Sequence, residues 1–103
     1  MLGLETALPI VWQTMIESKL MSVSDMQQRL SIAPAQIGRY HTQGKGLIKG
    51  VTANLTLFNP NSNWKVDRDR LASKSKNTPF HGMELSGSVS TTIFNGRLVW
   101  SKK

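Results

Sequence analysis

The 103-residue chain has length for one small domain, a formal net charge of +7 and a sequence pI of about 10.3. It has no cysteine, which excludes disulfides and thiolate metal sites and fits a reducing compartment. No apolar run is long enough to span a bilayer, and no basic segment precedes an apolar stretch at the start, which argues against a signal peptide.

In chain order, Leu4, Ala7, Leu8, Val11, Trp12, Met15, Ile16 and Leu20 recur at helical spacing and predict a helix with one broad apolar face. Pro9 suits only a first turn, so regular helix is expected to start between Glu5 and Leu8 and to end between Lys19 and Met21. Ser24-Asp25-Met26-Gln27 reads as a capping box opening a second helix to about Ser31. Pro34 then opens a third helical turn ending near Gly38. Ala33 before it offers no side-chain acceptor, and the missing cap is expected to cost about 1 kcal/mol.

Gly44, Gly46 and Gly50 punctuate a loop, too irregularly spaced for a dinucleotide fingerprint. From Thr52 the period becomes two. Leu55 and Leu57 alternate with Thr56 and Phe58 in a strand covered on both faces or nearly so. Asn59-Pro60-Asn61-Ser62-Asn63 reads as a turn, and Trp64 and Val66 as one face of a short second strand. Asp67 to Leu71 suggests one helical turn, and Lys74 to Gly82 an irregular segment. Met83 to Phe94 reads as a long strand with a break at Gly87. Asn95-Gly96 is a strong hairpin signal, returning through Leu98 to Trp100. Helices followed by strands give an α+β class.

The residues that could carry chemistry are few and scattered. His41 and His81 share no metal-binding spacing, and a metal site needs three or four convergent ligands. Glu5 sits where a helix start favours a carboxylate. Asp67 and Asp69 alternate with Arg68 and Arg70, the pattern of a solvated face, and Glu17, Asp25 and Glu84 complete the acids. No serine lies in a Gly-x-Ser-x-Gly elbow, and the Ser-x-x-Lys spacings at Ser62/Lys65 and Ser73/Lys76 lie in no context that would activate the serine. The basic residues Lys45, Lys49, Arg68, Arg70, Lys74, Lys76, Lys102 and Lys103 are spread, without aromatic interleaving, so nucleic acid is not the expected partner. Lys74 and Lys76 could contact a phosphate or acidic partner; a structural loop is the favoured reading.

Three stretches carry a family likeness. They are Ala53 to Asp67, the run Ser73-Lys74-Ser75-Lys76-Asn77-Thr78-Pro79-Phe80, and Gly87 to Val99. With Gly3-Leu4-Glu5-Thr6-Ala7-Leu8-Pro9 at the start, they resemble the C-terminal end of dihydroorotase, over nearly the whole chain and in the family's order. Allantoinases and hydantoinases share the architecture, but the 73–80 run is closer to dihydroorotase.

The resemblance implies that residues 1–42 are the last helix of a (β/α)8 amidohydrolase barrel with the short helices after it. Residues 43–103 would then be part of the small accessory β-sandwich, an incomplete domain. It further implies reversible hydrolysis of dihydroorotate to N-carbamoyl-aspartate in cytoplasmic pyrimidine biosynthesis. In the family this chemistry uses zinc, held by a His-x-His pair, further histidines, an aspartate and often a carboxylated lysine. All of those lie in the barrel, upstream of the matching part, and a barrel needs about 250 residues. No catalytic, cofactor-binding or metal position therefore carries over, and the chain alone is expected to be inactive.

Two positions depart from the family pattern: Asn54 stands for the usual aspartate and Ala33 for the usual asparagine. The implied partner is the rest of the barrel. A noncatalytic module docking aspartate transcarbamoylase is the alternative. Loss of the barrel from the first helix, and of edge partners from the strands, predicts a homo-oligomer for the isolated chain.

Overall fold

The computed structural model describes residues 1–102. Helix α1 spans Ala7–Val11 and continues as a wider π-helical turn over Trp12–Ile16. Helix α2 (Val23–Gln27) continues through a second π-helical turn, Gln28–Ile32, into α3 (Ala33–Ile37). Strands β1 (Leu55–Lys65), β2 (Glu84–Phe94) and β3 (Arg97–Ser101) form one sheet in the order β1-β2-β3. The class is α+β. By contacts the chain forms two compact units, Met1–Leu20 with Phe58–Ser88 and Met21–Leu57 with Val89–Lys103.

In the first unit, Pro9 is the third residue of α1, where its missing N–H would have had no partner in the helix, so the chain enters the helix without loss. Regular helix ends at Ile16, a little before the expected terminus. Lys19 takes a left-handed φ of 61° there, and the Leu20 N–H reaches back to the Met15 carbonyl at 3.0 Å. The hydroxyls of Thr14 and Ser18 donate back to the carbonyls of Ile10 and Thr14, a bonding mode that loosens the regular ladder beside the π turn.

The apolar stripe read from the spacing is covered only in part. Leu4, Ala7 and Leu20 are exposed, and Leu8, Val11, Met15 and Ile16 only half-buried. Thr6 and Pro9 are buried, Ile10, Trp12 and Gln13 are half-buried, and the exposed Glu17 reaches Ser86. Thr6 is buried and donates to the Gly3 carbonyl at 3.3 Å, while Ile10 packs on the core. Gln13 Oε1 accepts the Ser86 N–H at 3.4 Å, and Glu17 Oε1 accepts the Ser86 hydroxyl at 2.6 Å. That core is Val66, Leu71 and Leu85, with Leu2, Ile10, Trp64 and Phe80 against it.

The expected turn over Asn59 to Asn63 is strand instead. The Asn61 N–H does donate to Asn59 Oδ1 at 3.0 Å, the local bond that the residue types favour. The ladder prevails because β1 is an edge strand, where Pro60 withholds no needed donor. Phe58, Pro60, Ser62 and Trp64 alternate inward along it and lead to buried Val66, whereas Thr56 and Leu57 are exposed, not doubly covered. Where one helical turn was expected, Asp67 to Arg70 forms a single tight turn without helix, closed by Arg70 N–H to the Asp67 carbonyl at 3.0 Å.

β2 runs unbroken through Gly87, but that residue takes a φ of 91°, open to glycine and strained for other residues. A Cβ there would also collide with the Phe58 ring. The Trp64 indole N–H donates to the Gly87 carbonyl at 2.8 Å, and Phe58 and Trp12 meet with ring centroids 5.2 Å apart.

In the second unit the capping box is Ser22 with Asp25, two residues earlier than the Ser24–Gln27 reading. The Ser22 hydroxyl accepts the Asp25 N–H at 3.0 Å, and Asp25 Oδ2 accepts the Ser22 N–H at 3.2 Å. Aspartate at the third helical position closes this box as glutamate would. There is no separate third helix. The chain passes through Ala33 in helical geometry, and the Ala33 N–H donates to Gln28 across the π turn. Widening that turn lets Pro34 sit inside a continuing helix. Ala33 therefore has no cap to lose, and the expected penalty does not apply. Gly38 ends the helix, and Ala35 is buried.

The Asn95-Gly96 turn is as expected, with φ of 50° and 75°, a two-residue hairpin of the primed type. Phe94 pairs with Arg97 and Ile93 with Leu98. After a bulge, Thr92 pairs with Trp100 and Thr91 with Ser101.

Candidate functional site

The run from Ser73 to Phe80 is a loop that holds its own shape. Ser73 Oγ accepts the Ser75 N–H at 3.3 Å, Ser75 Oγ accepts the Asn77 N–H at 3.3 Å, and Thr78 Oγ1 accepts the Phe80 N–H at 3.2 Å. Each hydroxyl bonds a backbone group two residues on, which bends an irregular chain without a helix or ladder. The loop is pinned at both ends. Glu5 Oε1 accepts the Ala72 N–H at 2.8 Å, the Asn77 carbonyl accepts the Leu2 N–H at 2.8 Å, and Phe80 packs on the core. Glu5 thus holds a distant backbone group and does not serve its own helix terminus. Lys74 and Lys76 project from this frame into solvent. A frame of short hydroxyl turns, with its one aromatic turned inward, is built to hold a shape.

The other residues singled out in the sequence do not converge. His81 Nδ1 accepts the Arg68 N–H at 3.2 Å, so its ring orders the turn after β1. His41, Lys45 and Lys49 are exposed in the glycine-punctuated loop of the second unit. A groove of about 340 Å³ there is lined by Lys45, Leu47, Ile48, Lys49 and Val51 among others, with no acid or histidine to act as a proton-transfer partner.

Asn54 makes contacts that sequence reasoning missed. Its Nδ2 donates to the Thr42 carbonyl at 3.2 Å, and its Oδ1 accepts the Asn95 N–H at 3.0 Å. An aspartate could make only the second bond. An asparagine at this position thus has a local use. The signal was available: an Asn-Gly turn leaves backbone donors that need an acceptor.

Comparison with known proteins agrees along the whole length. No protein-family profile matches the chain. Dihydroorotase from Mycobacterium tuberculosis is 44% identical over 98 residues, covering 95% of this chain and 23% of that protein. Dihydroorotase from Clostridium acetobutylicum is 38% identical over 104 residues, covering 100% and 24%. The fold matches L-hydantoinase (dihydropyrimidinase) from Arthrobacter aurescens with a TM-score of 0.87 and 30% identity, over 98% of this chain and 22% of that one.

The fold and these residues are those of part of an amidohydrolase. Within that class the chain matches dihydroorotases over 95 to 100% of its own length, as a C-terminal segment spanning 23 to 24% of the length of these relatives.

The family resemblance implies zinc. Among the described residues no group of three or more His, Cys, Asp or Glu side chains could hold a metal ion, and His81 Nδ1 is already engaged. The described residues do not make a zinc centre. No helix among the described residues is long and apolar enough to cross a membrane.

Proposed function

We propose that this chain is the structural C-terminal part of a dihydroorotase. The barrel of the whole enzyme would carry the zinc and the reversible hydrolysis of dihydroorotate to N-carbamoyl-aspartate. The observation that carries this reading is the likeness to dihydroorotases over 95 to 100% of the chain. In this reading residues 1–42 are the last barrel helix and its following turns, and residues 43–103 belong to the accessory sandwich. The exposed Leu4, Ala7 and Leu20, on and beside the first helix, support it, because uncovered apolar side chains suit a segment that packs on more of the same polypeptide.

The test is a chimera in which this chain replaces the corresponding segment of the Mycobacterium tuberculosis enzyme, assayed for dihydroorotate hydrolysis beside the chain alone. The chimera is expected to turn over and the isolated chain not. Zinc-dependent turnover by the isolated chain would overturn the reading, as would a folded, zinc-loaded chimera with no activity.

A further inference from the structure

Among the asparagines, Asn95 is the one followed by glycine. Gly96 has no Cβ, so its amide nitrogen is the least hindered that any asparagine carboxamide here can meet. Asn59, by contrast, precedes proline, which offers no N–H. Asn95 is also exposed, at the tip of the β2–β3 hairpin.

Two bonds clasp this tip to the residues before β1. The Asn95 N–H donates to Asn54 Oδ1 at 3.0 Å, and the Gly96 N–H donates to the Ala53 carbonyl at 2.8 Å. The second bond occupies the very nitrogen that could attack the Asn95 carboxamide. The first fixes the backbone of Asn95, which would have to rotate to bring its Cγ onto that nitrogen.

We infer that Asn95 is a site of spontaneous deamidation, and that the clasp by Ala53 and Asn54 sets its rate in the folded chain. Gly96 N gives up its proton to solvent base and forms a bond to Asn95 Cγ. The Cγ–Nδ2 bond breaks and ammonia leaves, closing a succinimide ring. Water then opens the ring. Cleavage at Cγ leaves aspartate with the normal peptide bond, and cleavage at the α-carbonyl leaves isoaspartate with the chain running through Cβ and Cγ. One carboxamide and one water become one carboxylate and one ammonium ion, with no oxidant or reductant. Each event lowers the formal net charge of +7 by one. The isoaspartate product adds a methylene to the turn and so removes the geometry on which both clasp bonds depend.

The test follows mass gain and isoaspartate by peptide mapping during incubation at mildly alkaline pH. Samples are the unmodified chain native and in urea, with Asn54→Ala and Asn54→Asp under native conditions. Deamidation at Asn95 is expected to be at least about tenfold slower native than unfolded, the change that loss of one or two hydrogen bonds produces. Asn54→Ala, which removes the acceptor for Asn95, should move towards the unfolded rate, with faster exchange of the Gly96 amide. Asn54→Asp keeps an acceptor oxygen and should stay near the native rate. Equal native and unfolded rates would overturn the proposal, as would another asparagine reacting faster in urea. An Asn54→Ala rate equal to the native one would remove Asn54 from it. The native and urea comparison requires no variant to fold.

Discussion

Phe58 occupies the space that a side chain on Gly87 would need. Gly87→Ala should therefore meet two penalties: an L-residue at φ 91°, and a methyl driven into the ring. The sum is roughly 2–4 kcal/mol of lost stability. Urea unfolding measures it, and Phe58→Ala in the same chain should return the steric part. If Gly87→Ala leaves the midpoint unchanged, the close packing is not a constraint on the fold.

Glu5 and Ala72 are held by a single carboxylate-to-backbone bond. Glu5→Ala should speed hydrogen exchange at the Ala72 amide and open the 73–80 loop to protease. Glu5→Gln retains an acceptor oxygen and should protect that amide nearly as well. Equal exchange in both variants would show that charge, not the acceptor, holds the loop.

The exposed Asp25 carboxyl is held below its ordinary range by hydrogen bonds from the Ser22 hydroxyl and backbone N–H, with attraction from Arg29 adding a smaller part. Its pKa is depressed in the folded state. The contribution to helix stability is therefore complete above the unfolded value and is lost as pH falls through the lowered one. An NMR titration should place the Asp25 midpoint below that of an unstructured aspartate, with helicity over residues 23–37 declining across the same range. Ser22→Ala should bring the midpoint back up. No movement in that variant would sink the assignment.

Ala33→Asn puts a residue that can cap a helix before Pro34. A helix starting at Pro34 would gain about 1 kcal/mol from the new cap. In the continuous helix seen here the asparagine falls in an interior, and roughly 0.5 kcal/mol should be lost instead. Thermal unfolding reads the sign directly.

Patterns that local chemistry decides were legible in the sequence. Asn95-Gly96 requires positive φ at both residues, and Pro9 can only be near a helix start, so both were placed correctly. Where two local signals competed, the sequence did not settle the outcome. Asn59 to Asn63 carries turn chemistry, and one of its bonds forms, yet the inward alternation of Phe58, Pro60, Ser62 and Trp64 keeps it in the sheet. Ser22 and Ser24 could each open α2, and Asp25 decided for Ser22 because it can return a bond to that backbone. The inner face of α1 was read only in part, because its contacts with Ser86 are polar, and hydrophobic spacing is blind to Gln13 and Glu17. At the candidate site, the shape-holding role of residues 73–80 was favoured from the sequence. The bonds joining Asn54 to Thr42 and Asn95 were not, because they link residues far apart in the chain.

The widened turns at Trp12–Ile16 and Gln28–Ile32 give both helices slack in length. A π turn accommodates a residue beyond what an α turn would hold. Deleting one residue within either stretch could be absorbed by tightening to α geometry, leaving the hydrogen-bonded ends where they are. The same deletion in α1 or α3 has no such reserve and would rotate everything after it by about 100°, one residue's share of a helical turn. The two widened turns are thus places where this chain can tolerate a change in residue count.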